Sequence, residues 1–295
     1  MPLKDVGAAV LVAFLWALCF PLITFGLSGA PPLLFGGLRA CLAGLFLLLL
    51  SLRGEGALNV AREFTFREWG LLILTGLSFT ALGFAGMFLA GGKIGPGLAT
   101  VLANLQPLMA AVLAHFLINE KLSAARITGL GVAFAGILFI AGPAFFENDS
   151  SDGVEGVLFL LMGAVGTAAG NIGLKRVSGF APPLFAAGFQ FLFGGLTLLS
   201  ASSVLEPNAS IDWSLNFTFS LFVLSFLGTA LATVLWLQLL ARNPLNRVNL
   251  FSYLAPIFAM MIGVAFFAER PGPLEIVGIV LIFIGILSGV KRKAP

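Results

Sequence analysis

The chain reads as an all-α polytopic membrane protein: ten transmembrane helices in two inverted-topology repeats of five. Three observations predict this. Its 295 residues are 59% hydrophobic and only 10% charged, where soluble domains carry about 25% charged residues, and mean hydropathy is +1.06. Apolar stretches long enough to cross a ~30 Å hydrocarbon core recur along the whole chain. One phrase is also written twice: "ANLQPLMAAVLAHFLINEK" at 103–121 and "SYLAPIFAMMIGVAFFAER" at 252–270 set a proline and a Glu–basic pair at matching places.

With Gly, Pro and charge clusters as punctuation, the spans fall at 6–27, 32–52, 69–91, 95–117, 124–142, 154–175, 183–203, 214–240, 246–268 and 273–290. The first follows MPLKDV and is too long for a signal-peptide core; another span follows it, so it reads as a helix that stays. All ten are continuous apolar runs without apolar–polar alternation, which favours helices over barrel strands. Cys19 and Cys41 fall inside spans and imply no disulfide framework. The loops are short and leave no room for a soluble catalytic domain.

The loops set the direction. With a cytoplasmic N-terminus, Lys4, Arg53, Arg62, Arg67, Lys121, Arg126, Lys175, Arg176, Arg242, Arg247, Lys291, Arg292 and Lys293 lie inside, while Lys93 and Arg270 lie outside and Arg39 lies within a span. That distribution follows the positive-inside rule and places both termini in the cytoplasm. The net charge of +3 reflects this bias and does not call for a nucleic-acid partner.

The doubled phrase belongs to a longer match. At an offset of 149, Thr80-Ala81-Leu82 meets Thr229-Ala230-Leu231, Pro107 meets Pro256, Glu120 meets Glu269, and Gly136 meets Gly285. Nearer the front, "APPLLFGG" at 30–37 meets "APPLFAAG" at 181–188 at an offset of 151. The repeats are expected to occupy 1–145 and 150–295. Because five is odd, the second copy enters the membrane from the opposite side, a design found in secondary transporters with a site between the repeats.

The span layout, Arg39 in helix two, the proline in helix four and "NEKLSAARITGLGVAFAGILFIAG", echoed by "AERPGPLEIVGIVLIFIGILSGV", resemble the EamA type of the drug/metabolite transporter superfamily. The resemblance covers nearly the whole chain. It implies a ten-helix metabolite exporter of the bacterial inner membrane, in a family several of whose members act on amino acids. It supplies no substrate by itself.

Candidate site residues follow from depth and polarity. Thr100, Asn104, Pro107, Ala111 and His115 share one stripe of helix four, and Asn249, Tyr253, Pro256, Met260 and Val264 are their equivalents in helix nine. Polar groups at that depth are costly in lipid and are expected to face a cavity or another helix. Pro107 and Pro256 read as hinges, each leaving a carbonyl without its helix bond at Ala103 and Ser252. Trp16, Phe20, Ser78, Phe79, Thr80, Asn171 and Gln190 lie near mid-depth, as do Thr75, Thr167 and Trp236. Arg39 lies seven residues in, roughly 10 Å deep. It can snorkel, bind backbone carbonyls or meet a substrate carboxylate, and its counterpart is the neutral Gln190.

No Asp or Glu lies at mid-depth in any span. The small multidrug members of this superfamily use such a carboxylate in the first helix, where this chain offers Trp16 and Phe20. The expected substrate-binding set is therefore Trp16, Phe20, Arg39, Ser78, Phe79, Thr80, Asn104, Asn171, Gln190 and Tyr253. It suits a small zwitterion, a neutral or aromatic amino acid or similar metabolite, exported by alternating access without proton coupling. A drug or organic-cation exporter is the alternative within transport, and a non-transporting scaffold or receptor the alternative outside it. No HExxH, aspartyl pair or His/Cys/carboxylate cluster appears, so no enzyme, metal or cofactor is expected. The partners are a small-molecule substrate and the bilayer, with the protein a monomer or homodimer.

Overall fold

The computed structural model describes residues 1–53, 61–106, 109, 112–113, 124–146, 151–243, 248, 251–252 and 254–290, with the backbone alone at 124–126, 130, 140–146, 151 and 286–290. Among these residues the protein is helical, with no strand. Six helices are long and apolar enough to span a membrane: α1 (Leu3–Gly26), α2 (Pro32–Leu52), α3 (Phe66–Ala90), α6 (Asp152–Val177), α7 (Pro183–Leu205) and α8 (Leu215–Arg242). Four more helical elements complete the order: α4 (Pro96–Ala103), α5 (Ala124–Phe146), α9 (Leu254–Phe266) and α10 (Pro273–Val290).

Local sequence explains the interruptions. Helix α1 breaks at Leu18, between Ala17 and Cys19, because Pro21 has no N–H to return to the Ala17 carbonyl. The span expected over 95–117 does not run straight: α4 ends at Ala103, and Asn104 and Leu105 form a turn. The turn comes just before the position of Pro107, whose ring disfavours helix in the preceding turn. Pro107 itself, with Ala111 and His115, lies outside the described residues. Helices α3 and α8 each carry a π-helical stretch, Gly76–Leu82 and Val223–Leu231. The two stretches end at residues matched by the repeat. No sequence expectation covered them.

Helix starts are satisfied in two ways. Thr65 and Glu68 form a capping box on α3, and Ser214 accepts from the Phe217 amide on α8, so both starts are closed locally. Helix α2 opens on Pro31-Pro32 with no side-chain cap, and its Leu33 and Leu34 amides donate to Glu206 at the end of α7, at 2.8 and 3.0 Å. Ser202 also donates to that carboxylate. Helix α4, opened by Gly95-Pro96, is closed in the same borrowed way by Glu269.

Two helix pairs pack along much of their length, α2 with α7 and α5 with α10. Both are glycine seams, and their contacts come in exchanged pairs. A Cβ on Gly44 would strike Leu192, and one on Gly195 would strike Cys41; Gly37 faces Leu199 and Gly188 faces Leu48. Each contact becomes its partner when both residues shift by 151. Likewise Gly136 lies against Gly278 and Ile282, and Gly285 against Gly129 and Ala133, exchanged at an offset of 149. Only glycine allows backbones so close, and a contact repeated with roles exchanged is the signature of a two-fold interface. Helices α3 and α6 form a third seam, with Gly86 against Gly163 and Gly170 against Phe79.

Candidate functional site

Arg39 on α2 is 3% exposed and is held from three helices. Its Nε donates to Thr229 Oγ1 on α8 at 3.0 Å, and its Nη2 reaches Cys19 Sγ on α1 at 3.3 Å. The guanidinium carbon sits 4.6 Å from the Phe84 ring centroid and 5.7 Å from that of Phe88, both on α3, within cation–π range. The π-turn positions the acceptor: Thr229 donates its own hydroxyl to the Leu224 carbonyl, five residues back. Nη1 is buried without a partner. Of the three roles expected for Arg39, snorkelling does not occur, and side chains rather than carbonyls bind it.

The matched place in the other half is neutral. Gln190 on α7 is 2% exposed and Thr80 in the π-stretch of α3 is 0% exposed. A Cβ on Gly76 would stand 3.0 Å from the Gln190 carbonyl, and one on Gly194 would strike Thr80. The backbones are therefore docked here as well. Yet Gln190 Oε1 and Thr80 Oγ1 are both buried without a partner. Phe79 packs on Phe191 at 6.0 Å and against Gly170, next in the chain to half-buried Asn171. Ser78 is half-buried on the same stretch of α3. Phe79, Thr80 and Gln190 thus share one region, with Asn171 and Ser78 at its edge.

The remaining candidates disperse. Trp16 packs at a tilt on Trp236 of α8 with centroids 5.0 Å apart, both half-buried. Phe20 is 3% exposed and joins an apolar cluster with Ala99, Leu102, Leu105 and Ile282, as packing rather than an open wall. Asn104 spends its amide on its own helix end, donating to the Thr100 carbonyl at 2.9 Å. Pro256 is buried in α9, next to Ala255, which packs with Ala259 against Ala13 and Ala17 of α1. Tyr253 and Asn249 lie outside the described residues. An apolar cleft of about 360 Å³ between α5 and the residues that follow α4, lined by residues including Leu105, Met109 and Phe134, takes in none of the candidates.

Two residues that matter here are not placed in the site by sequence, and a third is placed only as a cap. Thr229 was aligned with Thr80 but not named as a partner of Arg39, although the two offsets together place Arg39 against Thr229 wherever Gln190 meets Thr80. Trp236 was noted at the right depth but left out of the site. Glu269 reads in sequence as an interfacial anchor and cap, and in the structure it does cap a helix, the α4 of the other half.

Among the described residues, the helices of the glycine seams carry one deeply buried cation, Arg39, set among neutral groups. The family is shown by direct comparison. The EamA-like transporter family model matches residues 4–142 and again 154–288, and the chain belongs to that family. It is 26% identical over 296 residues to the "Uncharacterized transporter YvbV" of Bacillus subtilis, covering 99% of this chain and 94% of that protein. It is 28% identical to the "Probable amino-acid metabolite efflux pump" of Escherichia coli, covering 98% and 96%, and 26% identical to "Protein PecM" of Dickeya dadantii, covering 97% and 92%. A solved crystal structure with 21% identity superposes with a TM-score of 0.66 over 97% of this chain and 96% of its own, and shows the same fold.

Proposed function

We propose that the protein exports neutral or aromatic amino acids, or similar small metabolites, by alternating access as a facilitator. Its ten helices form two oppositely oriented five-helix halves in the bacterial inner membrane, with both termini in the cytoplasm. The observation that carries this reading is the reciprocal docking of α2 on α7 and α5 on α10, in which the glycine contacts named above recur with the halves exchanged. Two halves related in this way can swap conformations, so that one site opens to each side in turn. The name of the Escherichia coli relative supports the substrate class.

Charge supports it as well. The buried guanidinium of Arg39, with Nη1 unpartnered, favours a substrate carrying a carboxylate, and the Trp16–Trp236 pair offers an aromatic wall. A cationic drug would meet that guanidinium without a carboxylate at the same depth, so the organic-cation reading is the weaker one. The substrate set retained is Trp16, Arg39, Ser78, Phe79, Thr80, Asn104, Asn171, Gln190 and Tyr253.

Proteoliposomes loaded with a panel of labelled neutral and aromatic amino acids test the proposal. Saturable efflux of at least one of them with equal pH on both sides is expected. Efflux that appears only with a proton gradient contradicts facilitation, and no flux across the panel contradicts the substrate class.

A further inference from the structure

Glu269 follows α9, in a turn where Ala268 has φ 53° and the Glu269 amide returns to the Gly263 carbonyl. The turn sends its carboxylate across to the first half of the chain. There Oε1 accepts from the Gly97 amide in the first turn of α4 at 2.8 Å. Three glycines cradle the carboxylate: a Cβ on Gly95, Gly97 or Gly263 would each stand 2.6 Å from its atoms. Any side chain at these places would expel it. The second oxygen, Oε2, is buried and has no partner.

We propose that Glu269 is a proton-binding site, and that a proton on its unpartnered oxygen locks the start of α4 to the end of α9. The locked junction lies at the outer mouth if the orientation proposed above holds; the lock itself does not depend on which face this is. An anionic oxygen buried without a donor is costly, and a neutral one is much less so. Protonating Oε2 removes the charge while Oε1 keeps its bond to Gly97. Opening the junction returns the carboxylate to water, where the ionised form is at ease.

The surroundings set the sign. Burial pushes the Glu269 carboxyl above its ordinary range, the Gly97 and Leu98 amides pull it back in part, and the Glu275 carboxylate adds to the rise. Glu275 stands in the first turn of α10, where it accepts from the Gly272 amide. Among the described residues α4 and α9 carry no charge, and neither does the second segment of α1 (Cys19–Gly26). Arg270 is exposed, and Lys93 is engaged with Asp152 and Glu155 at 2.9 and 2.6 Å. A carboxyl whose affinity for protons is higher in the closed form favours that form as pH falls, and the advantage is lost as pH rises through the raised value. Acid therefore closes the junction.

Hydrogen–deuterium exchange on the full chain in lipid nanodiscs tests this, read on the peptide covering 94–103. The pH runs from about 8 to about 5, with the intrinsic exchange rate corrected for pH. Protection of the Gly97 amide is expected to increase toward acid, by up to about tenfold per pH unit for one linked proton. Glu269→Gln, a neutral isostere, should show high protection that does not change with pH. Glu269→Ala should lose protection at every pH while peptides from α2 and α7 stay as in the wild type. Wild-type protection that is flat or falls toward acid overturns the proposal, as does a Glu269→Gln chain that titrates like the wild type. No transported substrate enters the measurement, so it stands or falls apart from the export reading.

Discussion

Arg39 and Gln190 occupy matched places on α2 and α7, and each faces a π-helical stretch of the other half. The first place is charged and tied to three helices; the second is neutral, and both of its polar groups go without partners. The backbones dock closely in both. Docking is thus a property of the glycine seams, and the polar groups are laid over it with different strengths. The Arg39 side is pinned. The Gln190 side holds buried donors and acceptors that the protein itself leaves unmet, a condition that a ligand or a rearrangement can relieve.

The largest effects should come from breaking the seam that the two places share. Gly44→Val drives a side chain into the α7 backbone at Leu192, and Gly195→Val does the same at Cys41. Each should cost about 1–3 kcal/mol or more, seen as a fall in the thermal midpoint in detergent, and the two falls should match. A large inequality would show that the docking is not reciprocal. Arg39→Gln comes next. It removes a charged donor from Thr229 and should cost about 1.5–3 kcal/mol, with Thr229→Val reproducing part of the loss. Gln190→Leu should be the mildest, within about 1 kcal/mol of the wild type and of either sign, because no bond is broken. A loss at Gln190 equal to that at Arg39 would erase the distinction between the two places.

Much of this was legible in sequence because it follows from composition and period. Apolar runs, the repeat offsets and the family resemblance predict the helices, whereas which glycines face each other is visible only in the structure. The site was less legible. Depth and polarity select Arg39, Thr80 and Gln190, which are buried in matched places, and Phe20, which joins an apolar cluster; Asn104, kept in the proposed site, also donates its amide to its own helix end. A residue's depth does not reveal its azimuth once a helix bends or stops: α3 and α8 carry π-helical stretches, and α4 ends at Ala103 before a turn. The π-stretches leave no mark in hydropathy, and they change the facing of every residue beyond them. The borrowed caps were hidden for a related reason. Glu206 looks like an ordinary loop acid, and Glu269 like a cap of its own helix end, until the unsatisfied amides of α2 and α4 are brought beside them.

The claim that one site opens to both sides is tested most directly by labelling a cysteine at Asn104 with a membrane-impermeant thiol reagent, applied to each face of oriented vesicles. Cys19 is buried and Cys41 half-buried, so the wild-type chain supplies the background. Labelling from both faces is expected, with the two rates moving in opposite directions when a transported amino acid is added. Labelling from one face only under every condition, or from neither, would contradict alternating access.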